Sequence, residues 1–169
     1  MRAAGVILGV VAALALQTTL ARYVVRGTVA IDLVLVAVVY VALTSGPATG
    51  LLAGTFAGLV QDALSTPVIG IGGLAKTIVG FLAGVIGTQF IVSQPLPRFV
   101  VFFGASALHA VIFMGLYTLL DLRHFDTPYR VVAGQSTANA LVGVIAFQVV
   151  ELLPGAVERR RAAKTRLRR

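Results

Sequence analysis

The chain has 169 residues, of which 58% are hydrophobic and only 12% are charged, and its mean hydropathy is +0.96. Soluble domains carry about 25% charged residues, so this composition excludes the ordinary soluble classes and indicates an integral membrane protein. The absence of cysteine excludes disulfides, cysteine–zinc sites and thiol catalysis, and the net charge of +8 is concentrated at one end, where seven of the 14 Lys and Arg residues occupy the last eleven positions.

Two apolar segments begin the chain. Residues 3–20 form an uncharged run after Arg2, which fits either a signal peptide or a first transmembrane helix. The polar run Gln17-Thr18-Thr19 favours a helix that is retained. Val29 to Thr44 predicts a second helix of 16 residues, with Asp32 near its start. Such a helix reaches about 24 Å, just short of the hydrocarbon core, so we expect a short crossing.

The next two helices are separated from the second by a turn. Pro47 follows Ser45-Gly46 at a place suited to the first turn of a new helix, so a third helix is predicted from Pro47 to Leu64. Without this break the second and third helices would form one helix of about 54 Å, which is too long for a single crossing. A fourth helix is predicted from Val68 to Val92.

Two more helices complete the predicted bundle. Phe99 to Leu120 predicts a fifth helix, after a turn at 94–98 that two prolines keep from being helical. A mixed-charge connection, 121–130, leads to a sixth helix from Val131 to Leu153, which Pro154-Gly155 should end. The predicted fold is therefore all-α: one compact bundle of six transmembrane helices over residues 1–157, followed by a basic tail over residues 158–169.

The distribution of basic residues predicts the orientation. Because Lys and Arg accumulate on the cytoplasmic side, we expect the C-terminus inside. Six crossings then place the N-terminus inside as well, with nine Lys or Arg residues inside and four outside. If the second segment did not cross, the count would be ten against three, so the charge bias alone leaves five and six crossings open. The uncharged run Leu33 to Leu43 favours six.

Glycine recurs at every fourth residue in the third and fourth helices, which places it along one face of each. The third helix carries Gly46, Gly50, Gly54, Gly58 and then Asp62, and the fourth carries Gly72, Lys76, Gly80 and Gly84. Small residues mark packing faces in membranes, so these faces, with Gln61, predict either a seam between the two helices or a docking face for a partner helix. A lone charge at the membrane centre costs about 2.5–3.5 kcal/mol. We therefore expect an intramembrane ion pair between Asp62 and Lys76, with a proton relay or ligand site as the alternative.

Other polar side chains in the apolar segments predict interhelical contacts: Gln17, His109, Gln135 and Asn139. Gln135 and Asn139 lie one turn apart, and alternatively would line a small polar pocket. Ser106 and His109 lack a third orienting group, and two histidines on different segments do not make a ligand set. We therefore expect no enzyme activity, no metal and no cofactor. The basic tail has no interleaved aromatic residues, which favours a lipid-facing role over nucleic-acid binding.

Several of these motifs occur together in one known family. They are Leu16-Gln17-Thr18-Thr19-Leu20, Asp32-Leu33, the glycine series that ends in Gln61-Asp62, and Leu74-Ala75-Lys76-Thr77 with Gly80 and Gly84. Over nearly its whole length the chain resembles the rod shape-determining protein MreD family. It departs at Ile31, where the family usually has proline before Asp-Leu.

The resemblance implies a multi-pass protein of the bacterial cytoplasmic membrane that acts as a scaffold in cell-wall elongation. Its implied partners are MreC, a complex of a SEDS glycosyltransferase with a class B penicillin-binding protein, and, indirectly, the MreB filaments. The resemblance also implies a fold similar to the substrate-binding subunits of energy-coupling-factor transporters. A small-solute, vitamin-like binding subunit is therefore the alternative function, although the first helix lacks the Ala-x-x-x-Ala docking pattern of those subunits.

Overall fold

A computed structural model describes residues 3–23, 31–65, 68–90, 94–122 and 128–166. These parts of the chain form six helices: α1 (Ala3–Tyr23), α2 (Leu33–Ser45), α3 (Pro47–Ser65), α4 (Ile71–Gln89), α5 (Pro95–Leu119) and α6 (Pro128–Arg166). The predicted connection at Arg26, the middle of the mixed-charge connection and the last three tail residues lie outside the described residues. The described elements are all helical, as predicted.

The short helix α2 lies at the centre of the bundle and packs against all five other helices. Seven of its 13 residues are buried. It begins at Leu33, later than the predicted start at Val29, because Asp32 caps it: the Asp32 carboxylate accepts a hydrogen bond from the Leu35 amide at 2.9 Å. At about 1.5 Å per residue, α2 is only about 20 Å long, so its first turn lies within the bundle.

A single residue separates α2 from α3. Gly46 has φ +87°, a left-handed conformation that favours glycine, and Pro47 starts α3 directly after it. The predicted break at this point is confirmed. The sharp reversal makes α3 antiparallel to α2, and α4 then returns alongside α3.

Proline changes the ends of α5 and α6 in ways that the sequence prediction missed. The turn predicted at 94–98 is wrong, because Pro95 begins α5 and Pro97 lies in its first turn, where a missing N–H leaves no hydrogen bond unmade. The predicted end of α6 at Leu153 is also wrong, since the helix continues to Arg166. Pro154 removes one backbone donor, but the residues after it are mostly Ala, Arg and Lys, which favour helix.

The outer surface of the bundle is apolar. Large hydrophobic side chains such as Leu8, Leu52 and Val111 are more than 60% exposed. Among the described residues, three helical segments are long and apolar enough to cross a membrane, Ile71–Gln89, Pro95–Leu119 and Tyr129–Leu152, and residues 5–19 and 33–45 form shorter apolar helices. These features fit a membrane protein, and the number of crossings stays a prediction.

Candidate functional site

A buried ion pair joins α4 to the start of α2. The Lys76 ammonium lies 3.0 Å from the Asp32 carboxylate, and the two side chains are only 3% and 9% exposed. Lys76 Nζ also lies 3.2 Å from His109 Nε2 on α5. The predicted ion pair between Lys76 and Asp62 is therefore wrong: the carboxylate that neutralises Lys76 comes from α2.

Two amide side chains hold the backbone around Asp32. The Asp32 amide donates to Asn139 Oδ1 at 2.9 Å, and Asn139 Nδ2 donates to Ser106 Oγ at 2.8 Å. From α1, Gln17 Nε2 donates to the Ile31 carbonyl at 3.0 Å, and Gln17 Oε1 accepts from the Leu33 amide at 2.9 Å. Side chains from α1, α4, α5 and α6 thus converge on the first turn of α2.

This polar cluster, defined by Gln17, Asp32, Lys76, Ser106, His109 and Asn139, is balanced in charge and hydrogen-bonded within itself. One oxygen of Asp32 caps α2 through Leu35, and the other faces Lys76. Burying a charge in an apolar medium is costly unless the charge is paired and hydrogen-bonded, and both conditions hold here. The arrangement can fix five helices in register without exposing a charge to lipid.

Asp62 performs a different task at the end of α3. Its Oδ2 accepts hydrogen bonds from the amides of Gly70 and Gly73, both at 2.9 Å. The first amides of a helix have no partner within the helix, so this carboxylate satisfies the start of α4. A Cβ on Gly72 would collide with Asp62 Oδ1, so glycine is required for this approach.

The predicted glycine faces meet each other along α3 and α4. A Cβ on Gly50 would collide with the Gly80 carbonyl, one on Gly54 with the Lys76 carbonyl, and one on Gly58 with the backbone of Gly73. The two backbones are therefore in direct contact. Beside the glycines, the hydroxyls of Thr55 and Thr77 lie 2.8 Å apart across the same seam.

The remaining predicted site residues lie around this framework. Gly84 extends the seam by packing against Pro47. Gln61 Oε1 is buried, and within the described residues it has no hydrogen-bond partner. Gln135 is half-buried, one turn from Asn139. Gln135 therefore has no assigned role in the polar cluster.

Sequence reasoning missed a second charged cluster, around Arg98. This guanidinium, 97% buried, makes two hydrogen bonds to the Glu151 carboxylate, one of them at 2.9 Å, and lies 4.1 Å from the centre of the Phe147 ring. Tyr40 of α2 contacts the other side of this cluster, with its ring 4.7 Å from that of Phe147. Glu151 was the available signal, as an acid four residues after an aromatic residue in an apolar segment.

An apolar groove of about 440 Å³ opens between α1 and α3. Its lining residues are Val6, Ile7, Val10, Thr49, Leu52, Ala53 and Phe56. Leu52 and Phe56 are 66% and 52% exposed. The groove therefore faces the lipid rather than the polar cluster.

Comparison with protein families identifies one match: the model described as rod shape-determining protein MreD matches residues 3–154. This range includes every helix as far as the start of the basic tail. No curated protein and no solved structure matches the chain at a significant level.

Proposed function

Because the chain belongs to the MreD family of rod shape-determining membrane proteins, we propose that it is an inner-membrane scaffold of the cell-wall elongation machinery that acts by packing against MreC. The family match over residues 3–154 carries this proposal. The structure supports it through a bundle whose buried charges are used internally, since such a bundle offers a rigid apolar surface rather than a reactive centre.

The structure also restricts where a partner helix would bind. The glycine face of α3 is already covered by α4, so it is not free for MreC. We propose instead the groove between α1 and α3, where Leu52 and Phe56 face the lipid. A single transmembrane helix placed there would pack by van der Waals contact, which drives helix association in membranes where the hydrophobic effect is absent.

By holding the MreC helix, the scaffold would favour assembly with the SEDS glycosyltransferase and its class B penicillin-binding partner, and through them with MreB. In this arrangement both termini face the cytoplasm, since the basic tail follows the positive-inside rule.

A photo-crosslinking residue placed at Leu52 or Phe56 tests the proposed groove in native membranes. The expected result is an MreC adduct from both positions and none from Val111, which is 62% exposed on α5 and serves as the matched control. Equal adducts from all three positions, or adducts from Val111 alone, would reject the groove. Depletion that leaves cells rod-shaped, with MreC normally localised, would reject the scaffold itself.

The carrier alternative placed a solute near Gln135 and Asn139. Asn139 already bonds to the Asp32 amide and to Ser106, so a solute would have to break contacts that hold α2 in place. This cost favours the scaffold. Saturable binding of a vitamin-like solute, together with co-purification of an ATPase module, would favour the carrier instead.

A further inference from the structure

The last helix continues well past the apolar part of its own sequence. The apolar segment of α6 ends at Leu152, whereas the helix ends at Arg166. At about 1.5 Å per residue, residues 153–166 add about 21 Å of helix beyond the hydrocarbon. α6 is therefore both a membrane helix and a helical extension outside the membrane.

This extension is strongly basic. From Glu158 to Arg169 there are seven Lys or Arg residues and one Glu, which gives a net charge of seven minus one, or +6. At about 100° per residue, Arg159, Arg160 and Arg161 alone fall on three different sides of the helix axis. Helices that insert into the interface need a broad apolar face, which this pattern does not provide. The extension is suited to an electrostatic partner that presents negative charge over a wide area.

The position of a proline shows how the charges could reach such a partner. Pro154 lies two residues beyond Leu152, and it cannot donate a hydrogen bond to the Val150 carbonyl. Proline is the commonest cause of a sharp helix kink, and Gly155 follows it directly. An extension that stayed straight would carry its last charges beyond the Debye length of about 8 Å, whereas one that bends at Pro154 brings all of them to the membrane surface.

We propose that the basic extension, residues 158–169, binds the anionic lipid headgroups that surround the end of α6, with Pro154 as the bend that lays it on the membrane. Charge complementarity carries this assignment, because each basic residue near an anionic surface adds to the attraction and no apolar insertion is needed. The interaction involves no contact with the α1/α3 groove, so it is independent of the proposed binding of MreC.

The absence of native cysteine allows a direct test on the full-length protein. A donor fluorophore on Thr165→Cys is measured against an acceptor lipid dye in nanodiscs of phosphatidylcholine, with or without phosphatidylglycerol. We expect energy transfer to rise in the phosphatidylglycerol discs and to return to the neutral-disc value at high salt. Glutamine at positions 159, 160 and 161 should lower the ratio of bound to free extension on the order of a hundredfold.

The control is the same donor on Thr118→Cys, at the opposite end of the bundle, where transfer should not depend on lipid charge. Pro154→Ala should reduce transfer from Thr165→Cys without changing the control. Transfer that is equal in neutral and anionic discs, or that is insensitive to salt, would overturn the proposal. The MreC crosslinks from Leu52 would be unaffected by that outcome.

Discussion

At the scale of single residues, the two buried carboxylates near α4 have separate roles. Asp62 is closer to Lys76 in sequence, but it lies beside the unpaired amides at the start of α4 and binds those instead. Asp32 is 44 residues from Lys76 in the chain, yet α2 brings it within 3.0 Å. Spacing within one hairpin therefore predicted that Lys76 needs an acid, but could not identify an acid that arrives from a third helix.

The capping role of Asp62 is testable by substitution. Asp62→Ala removes the acceptor of two backbone donors and should lower the free energy of unfolding by about 2 kcal/mol, as measured by titration of mixed micelles with a denaturing detergent. Asp62→Asn keeps an accepting oxygen and should cost less. A loss as large for Asn as for Ala would show that the charge of Asp62, not its hydrogen bonding, is what the fold requires.

A second prediction at this scale concerns Arg98. Its planar guanidinium both bridges the Glu151 carboxylate and stacks on Phe147, a combination that an ammonium does not reproduce. Arg98→Lys should therefore lower the same unfolding free energy by about 1–2 kcal/mol, despite the preserved charge. A stability equal to that of the unsubstituted chain would contradict the role given to the stacked fork.

At the scale of helices, the glycine pattern was informative because it depends only on helical period. A step of four residues keeps glycines on one face whatever surrounds them, so a close contact between α3 and α4 followed from the sequence. Prolines were misleading because their effect depends on position. Pro95 falls in a first turn and is tolerated there, while Pro154 interrupts one hydrogen bond in a segment that otherwise favours helix.

The seam between α3 and α4 predicts a contrast between two glycines. Gly54→Ala would push a methyl group into the Lys76 carbonyl and should cost about 1–3 kcal/mol of unfolding free energy. Gly104→Ala, on the open side of α5, has no neighbour within 4 Å and should be neutral or stabilising by up to about 1 kcal/mol. Detergent unfolding of the two variants side by side checks this, and a similar loss in both would mean that the seam is not tightly packed.

At the scale of the whole molecule, an apolar layer separates the two charged clusters. On α5, Phe102 lies one turn from Arg98 on one side and one turn from Ser106 on the other, and it packs against Leu35 and Val79. This layer lies between the polar cluster and the Arg98 cluster, and it favours structural roles for both over the proton relay considered from the sequence. The bundle itself was predictable from hydropathy, whereas the convergence of four helices on α2 depends on tertiary packing that no local pattern encodes.

The most direct test is a double-mutant cycle on Asp32 and Lys76, with unfolding free energy as the measurement. Asp32→Asn keeps the helix cap and Lys76→Met keeps the volume, so each single change leaves one buried charge without its partner and should cost about 3–5 kcal/mol. The double variant should lose far less than the sum, while Asp62→Asn combined with Lys76→Met should be close to additive. If Asp32 and Lys76 proved additive and Asp62 and Lys76 proved coupled, the polar cluster would not be what holds the bundle together.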